Sequence, residues 1–254
     1  MYKRQVVRDT DVEERQVTAE ASFEKMHATW RAMVESVEGY DPARRSACNL
    51  TGGDARKVET RAVSLAGPVL TDIIATALKV GECNACMGRI VAAPTAGASG
   101  VLPAVLLPIR KKYDFSEEEM VKALYVSAGF GQVIATRASI AGAEGGCQAE
   151  IGSASAMAAA ALVSLLGGSP EQMAAACATA LQNLLGLVCD PVAGLVEVPC
   201  VKRNVIGAVN ALTAAELKFS VSLDTKTVTI DGCDNCVKTA VSELEDLGFT
   251  PEVR

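Results

Sequence analysis

Three cysteines carry the clearest chemical signal in this chain. Cys147 lies in Gly-Gly-Cys-Gln, Cys189 in Val-Cys-Asp-Pro and Cys200 in Val-Pro-Cys-Val. Each reads as a turn beside Gly or Pro, where backbone bends around a ligand, and none falls on a regular apolar helix face. Thiolates held in such loops are the soft anionic ligands that iron–sulfur clusters take. Three ligands instead of four leave one iron open to a substrate. A helix opening just after Cys147 would add positive potential beside a negatively charged cluster. Spacing alone reads equally well as three buried thiols. Cys177, set mid-helix among alanines, reads as a plain core residue.

Two Cys-x-x-Cys pairs compete for a metal, Cys83-Asn-Ala-Cys86 and Cys233-Asp-Asn-Cys236. Together they would make a four-cysteine zinc site, but they lie far apart in the chain. The second pair follows an expected strand and opens a helix, like the metal-binding turn of heavy-metal-associated domains, with too little chain for that whole fold. The nine cysteines are an odd number, and Met1-Tyr-Lys-Arg leads into charged sequence without an apolar stretch. A secreted disulfide framework is therefore not expected, and a cytoplasmic chain is. A single histidine, His27, argues against a His-rich metal site and against a Ser-His-Asp triad.

These residues must be positioned by a core of small side chains. Half of the 254 residues are hydrophobic but only 4% are aromatic, and there are 41 Ala and 21 Gly. Alanine favours helices, whereas sandwiches draw on aromatic and β-branched residues, so the expected class is mainly α: an Ala/Gly-rich helical domain carrying the cysteine loops. A net charge of −6 and the lack of a basic stripe with interleaved aromatics exclude nucleic acid as the expected partner. Two uncharged runs mimic membrane spans, 90–109 and 151–170. The first holds Pro94, Pro103 and Pro108 and the second is mostly Ala, Ser and Gly, so buried helices and no membrane are expected.

Three regions are expected. Residues 1–47 form a charged N-terminal helical segment, with a helix over 13–37 whose stripe of Phe23, Trp30 and Met33 suits docking on another chain. Residues 48–219 form the helical domain that holds the three cysteines. Its signals are a turn at Asn49–Asp54, an amphipathic stretch over 55–79, a small-residue loop over 92–100, and a capping box of Ser116 with Glu119. A tight loop over 144–149 precedes an Ala-rich helix from about 153 to 166. Ser169-Pro-Glu-Gln172 then restarts a helix reaching about 185, 186–200 is a loop, and 204–219 is helical. Residues 220–254 form a small C-terminal β-hairpin plus helix, with strands over 220–223 and 227–230 and a helix over 234–247.

Four separated segments, in order, resemble the α chain of iron–sulfur-dependent L-serine dehydratase: Met87–Ala98, Ser139–Gly152, Gly186–Gly194 and Val198–Asn204. Leu50-Thr-Gly-Gly-Asp54 resembles the two-chain form in particular, and the likeness runs from about Asn49 to about Leu217. The resemblance implies an all-helical catalytic domain and a [4Fe–4S] cluster held by Cys147, Cys189 and Cys200. It implies that the open iron binds the serine hydroxyl as a leaving group, that a base removes the α-proton, and that the product tautomerises and hydrolyses to pyruvate and ammonia. No Ser-x-Lys motif or Gly-rich phosphate loop points to pyridoxal phosphate instead.

On that resemblance the substrate carboxylate falls to backbone N–H groups and hydroxyls of two small-residue loops, Thr51-Gly52-Gly53 and Pro94-Thr95-Ala96-Gly97, which read otherwise as plain turns. Lys202 and Arg203 either balance carboxylate or cluster charge or form a solvated pair. Glu144 and Asp190 orient the cysteine loops. Cys83 and Cys86 stand where the family has other residues, which speaks against them as ligands, and the tail departs from the family's helical ending. The β part of such enzymes carries a Ser-Ser-His-Thr type motif that this chain lacks. One half of a two-chain enzyme, an oligomer needing a β chain to act on L-serine, is therefore expected. The alternatives are a related iron–sulfur cysteine desulfidase and a non-catalytic iron–sulfur or zinc-binding subunit.

Overall fold

A computed structural model describes residues 2–62, 64–192 and 194–216, with the short segments 219–222, 227–230, 241–242 and 245 beyond them. The described chain is mainly α-helical. Two N-terminal helices, α1 (Tyr2–Arg15) and α2 (Ala19–Glu38), lead into the short α3 (Asp54–Glu59). Next come α4 (Pro68–Ala85), α5 (Val101–Tyr113) and α6 (Glu117–Arg137). The short α7 (Gly142–Gly145) and a π-helical turn (Gln148–Gly152) precede α8 (Ser153–Leu165), α9 (Pro170–Gln182) and α10 (Val198–Glu216).

Local chemistry sets the boundaries. A single helix was expected over 13–37, but Gln16 turns left-handed at φ 52° and Thr18 caps a new helix by accepting the Ala21 N–H. Capping boxes close at Ser116 with Glu119 and at Ser169 with Gln172, as the sequence leads one to expect. The stretch over 55–79 divides into α3 and α4, the latter opening on Pro68. α10 opens at Val198 rather than near Asn204, because Pro199 in a first turn forfeits no helical hydrogen bond. Cys200 accordingly sits in the first turn of a helix and not in a loop.

α8 is the axis of the core. Every residue from Ser153 to Ser164 is buried, with α5, α6, α9 and α10 around it. Alanine supplies buried area at little side-chain entropy cost and lets neighbouring helices come close. At Gly207 of α10, an added β-carbon would lie 2.8 Å from Ile151 and 3.0 Å from Val101, so these elements touch almost backbone to side chain. The stripe of α2 is turned inward rather than toward a partner. Trp30 and Met33 are fully buried in the same core as Leu102 and Met120, because α2 lies against α5 and α6. No helix among the described residues is long and apolar enough to cross a membrane.

Past α10, the backbone of β1 (Phe219–Ser222) pairs antiparallel with β2 (Thr227–Ile230), Phe219 opposite Ile230. The joining turn over 223–226, the pair Cys233 and Cys236, and nearly all of the expected helix over 234–247 lie outside the described residues. The tail as a unit remains an expectation of the sequence.

Candidate active site

Three segments meet around the thiols. Gly146 adopts φ +75°, and a β-carbon there would lie 3.0 Å from the Leu187 carbonyl oxygen. Only glycine lets the 146–148 turn run against the 187–189 segment this closely. The Gln148 N–H donates to the Leu187 carbonyl (2.8 Å), and the Gly186 N–H donates to Gln148 Oε1 (2.8 Å). These bonds set the loop carrying Cys189 beside the turn carrying Cys147. Arg203, one turn beyond Cys200 on α10, donates from Nη1 to Cys147 Sγ (3.1 Å) and pairs with Asp190, the neighbour of Cys189. One guanidinium thus joins all three cysteine-bearing segments.

The thiols feel one another. Burial pushes the Cys147 thiol up, the Arg203 guanidinium pulls it down, and Cys189 and Cys200 push it up again, with a net rise. Burial likewise raises Cys200, helped by Cys189 and Glu150 and opposed by the Glu197 backbone and Arg203. Buried thiols whose ionisation is disfavoured are what a cationic metal centre relieves, since it stabilises the thiolates. Among the described residues no group of three His, Cys, Asp or Glu side chains suits a single metal ion. A cluster, whose irons sit at separate corners, asks for wider spacing than one ion. Cys147 is buried, Cys200 partly so and Cys189 exposed, so the group opens to solvent on the Cys189 side.

The loop over 92–100 is tied to the same place by Asn204, which is buried. Its Nδ2 donates to the carbonyls of Gly97 (2.8 Å) and Cys200 (2.9 Å), and its Oδ1 accepts the Gly100 N–H (2.8 Å). Asn84 holds the Ala96 carbonyl (2.9 Å). Thr95 Oγ1 is buried without a hydrogen-bond partner, which costs free energy unless something supplies one. Pro94, Thr95, Ala96 and Gly97 therefore sit one asparagine away from Cys200.

The other expected loop is differently engaged. At Thr51-Gly52-Gly53 the backbone turns through φ +135° at Gly52 and +82° at Gly53; the Thr51 N–H donates to Ser46 Oγ (3.2 Å), and the N–H groups from Gly53 onward face the buried carboxylate of Glu82. That carboxylate accepts the N–H groups of Gly53 (2.9 Å), Asp54 (2.7 Å) and Ala55 (3.3 Å) and the hydroxyl of Tyr40 (2.6 Å). Burial and then Glu82 push the Tyr40 phenol well up. Thr51 Oγ1 lies near the Glu197 carboxylate but outside hydrogen-bond geometry. Glu197, almost wholly buried, accepts from Ser46 Oγ (2.8 Å).

The remaining expected residues divide cleanly. Lys202 is largely exposed and lies 3.9 Å from Asp54, the solvated reading, whereas Arg203 belongs to the thiols. Glu144 accepts from Ser139 Oγ (2.8 Å) and Asp190 holds Arg203, so both orient loops. Cys83 and Cys86 close the C-terminal end of α4, where Arg44 donates to the Cys86 carbonyl (2.8 Å). Cys177 lies buried in α9, its thiol pushed up to about 11 by burial. His27 bonds Glu117 (2.8 Å). Asn204, Glu150 and Glu82 are the residues that sequence reasoning passed over. Their only signal there is a polar side chain amid small and apolar neighbours.

The family described as "Serine dehydratase alpha chain" matches residues 3–246. The chain is 48% identical to the "Probable L-serine dehydratase, alpha chain" of Bacillus subtilis (strain 168) over 213 residues, covering 83% of this chain and 71% of that one. It is 54% identical to the protein of the same name from Latilactobacillus sakei over 152 residues, 60% of this chain and 73% of the relative. A third relative, "L-serine dehydratase TdcG" of Escherichia coli (strain K12), is 50% identical over 142 residues, which are 56% of this chain but only 31% of that longer one. The chain belongs to the serine dehydratase alpha chain family.

Proposed function

We propose that this chain is the cluster-bearing half of an L-serine dehydratase, which converts L-serine to pyruvate and ammonia in the cytoplasm together with a β chain. The observation that carries the reading is Arg203, which draws Cys147, Asp190 beside Cys189, and its own helix with Cys200 into one assembly. Three soft sulfur donors with a shared cationic neighbour suit a [4Fe–4S] cluster, and burial, which disfavours the charged form of Cys147 and Cys200, fits thiolates that a metal centre would stabilise. When bound, the cluster would supply a Lewis acid for the hydroxyl leaving group.

The chain's own residues do the rest. Arg203 offsets negative charge at Cys147, and Asp190 holds Arg203 in place. Asn204 fixes the distance between the Cys200 turn and the Pro94–Gly97 loop, so binding at that loop and at the thiols is geometrically coupled. Thr95, with its unpartnered hydroxyl, is the preferred donor to the substrate carboxylate, and Pro94, Ala96 and Gly97 permit close approach. Thr51, Gly52 and Gly53 are the secondary candidates. The Gly53 N–H already serves Glu82 and the Thr51 N–H serves Ser46, which leaves the Gly52 N–H and the Thr51 hydroxyl beside Glu197 as the donors there.

A β chain is supported by the share of chain that is matched. In the Escherichia coli relative the matched part is under a third of the whole, so a larger portion accompanies it there in one polypeptide. The exposed apolar side chains Leu185, Val188 and Leu195 border the Cys189 loop and offer an oligomer contact at the site's open side. The test is anaerobic reconstitution with iron and sulfide, with and without the β chain, followed by pyruvate detection. Serine turnover by the pair and little by this chain alone is expected. Preference for cysteine with sulfide release would favour a desulfidase, and bound iron without either activity a non-catalytic subunit.

A further inference from the structure

An amino acid brings an ammonium group as well as a carboxylate and a hydroxyl, and a site that takes serine needs an anion for it. The acids near the thiols are nearly all committed. Asp190 holds Arg203, Glu144 accepts from Ser139, and Glu197 is buried on Ser46. Glu82 is filled by four donors, and Asp54 is paired with Lys57 (2.8 Å). Glu150 differs. Its carboxylate takes part in no hydrogen bond or ion pair among the described residues, yet it lies against Gly97, whose carbonyl shares the Asn204 amide with the carbonyl of Cys200.

Its position is built by two glycines. A β-carbon at Gly142 would lie 2.6 Å from the Glu150 carboxyl carbon, and one at Gly97 would lie 3.1 Å from Oε2. Any side chain at Gly142 would evict the carboxylate, and one at Gly97 would press on it. Glu150 is therefore seated between α7 and the Pro94–Gly97 loop by contact rather than by donors, which leaves its charge unspent. It lies three residues beyond Cys147, in the π-helical turn. Such widened turns re-aim side chains and recur at functional sites. We propose that Glu150 receives the ammonium group of the substrate, placing the amino acid between the Thr95 loop and the thiols. The assignment rests on the serine dehydratase reading above and specifies how that site selects amino acids over hydroxy acids.

The test uses the reconstituted complex of this chain with its β chain, comparing wild type with Glu150→Gln. Iron and sulfide content and the visible spectrum are measured first, then the KM for L-serine. The inhibition constant of 3-hydroxypropanoate, which keeps the hydroxyl and carboxylate but has no ammonium, is measured alongside. A charged hydrogen bond of ordinary strength predicts a rise of about 10- to 100-fold in the serine KM. Cluster content and 3-hydroxypropanoate binding should be unchanged. Equal weakening of both ligands, unchanged affinity for both, or a fall in kcat at constant KM would each overturn the assignment. Should the Gln variant fail to assemble, Gly142→Ala displaces the same carboxylate and must give the same split between the two ligands. If the wild-type complex itself neither holds iron nor binds serine, the serine dehydratase reading falls instead.

Discussion

Glu82 and Glu150 are both carboxylates set against glycine turns, and each faces one of the two loops expected to meet substrate. At Gly52–Gly53, the backbone donors and Tyr40 all converge on Glu82, which is buried. At Gly97 and Gly142, the glycines make room for Glu150 but give it no donor. The first arrangement satisfies a charge and fastens the 40–55 segment to α4. The second leaves a charge without a protein donor beside the loop that Asn204 ties to Cys200. A small-residue turn is therefore not a sign of ligand binding by itself. What separates structure from function is whether the protein has already used the hydrogen bonds that the turn offers.

The largest effects should come from the thiols, on the open side of this comparison. Cys147→Ser, Cys189→Ser and Cys200→Ser should each abolish iron binding and pyruvate formation, while far-ultraviolet dichroism stays helical, because α8 and its neighbours do not depend on these side chains. Cys177→Ser should leave iron unchanged. Normal iron in any of the first three would remove that residue from the ligand set and weaken the contrast between the two sides.

Glu82→Ala tests the closed side. It removes one carboxylate and strands three backbone N–H groups and the Tyr40 hydroxyl in a buried place. Loss of such a group costs about 3–5 kcal/mol, readable by denaturant unfolding of the apo chain. If Glu82 is purely structural, the surviving folded protein should show an unchanged serine KM in the complex. A raised KM at full cluster content would mean that the Gly53 turn serves substrate after all.

How far the sequence spoke depended on whether a residue's task was local. The capping boxes at Ser116 and Ser169, the end of α8 and the mainly helical class follow from patterns within a few residues. The start of α10 was misplaced because Val198-Pro-Cys reads as a loop, although proline is at ease in a first helical turn. The inward stripe of α2 was read as a docking face because amphipathicity says that a face is covered, not by what. Asn204, Glu82 and Glu150 were illegible for a related reason. Their partners lie on other elements, at Gly97, Gly53 and Gly142, and only folding tells which carboxylate is satisfied.

The Cys83–Cys86 pair gives a smaller effect. It lies at the end of α4 beside Arg44 and the Tyr40–Glu82 contact, so it belongs to the closed side. Burial raises both thiols, with Arg44 opposing. Replacing both with Ser should leave iron content and the serine KM at wild-type values and change stability by about 1 kcal/mol or less. Loss of iron in stoichiometric proportion would show that this pair feeds the cluster, and would erase the boundary drawn here between the two sides.

The smallest effect concerns a carboxylate midway between the two extremes. Asp11 of α1 accepts from Ser22 Oγ (2.6 Å), and Ser22 shares a hydrogen bond with the Tyr125 hydroxyl of α6 (2.6 Å). The Ser22 hydrogen bond holds the Asp11 carboxyl below its ordinary value, burial opposes this, and Arg15 adds to the lowering. A group whose folded pKa is depressed contributes stability above its unfolded pKa and loses that contribution as pH falls through the folded pKa. Asp11 is partly exposed and its ion pair with Arg15 is screened, so the contribution is small. Asp11→Asn should lower the Tm by about 1–2 °C at pH 7, and the gap from wild type should close below about pH 4. Iron content and the serine KM should not move, since neither α1 nor the Ser22–Tyr125 bond touches the thiols. A gap that persists unchanged at pH 3 would mean that the Asp11 charge adds nothing and that Ser22 and Tyr125 alone fasten α2 to α6.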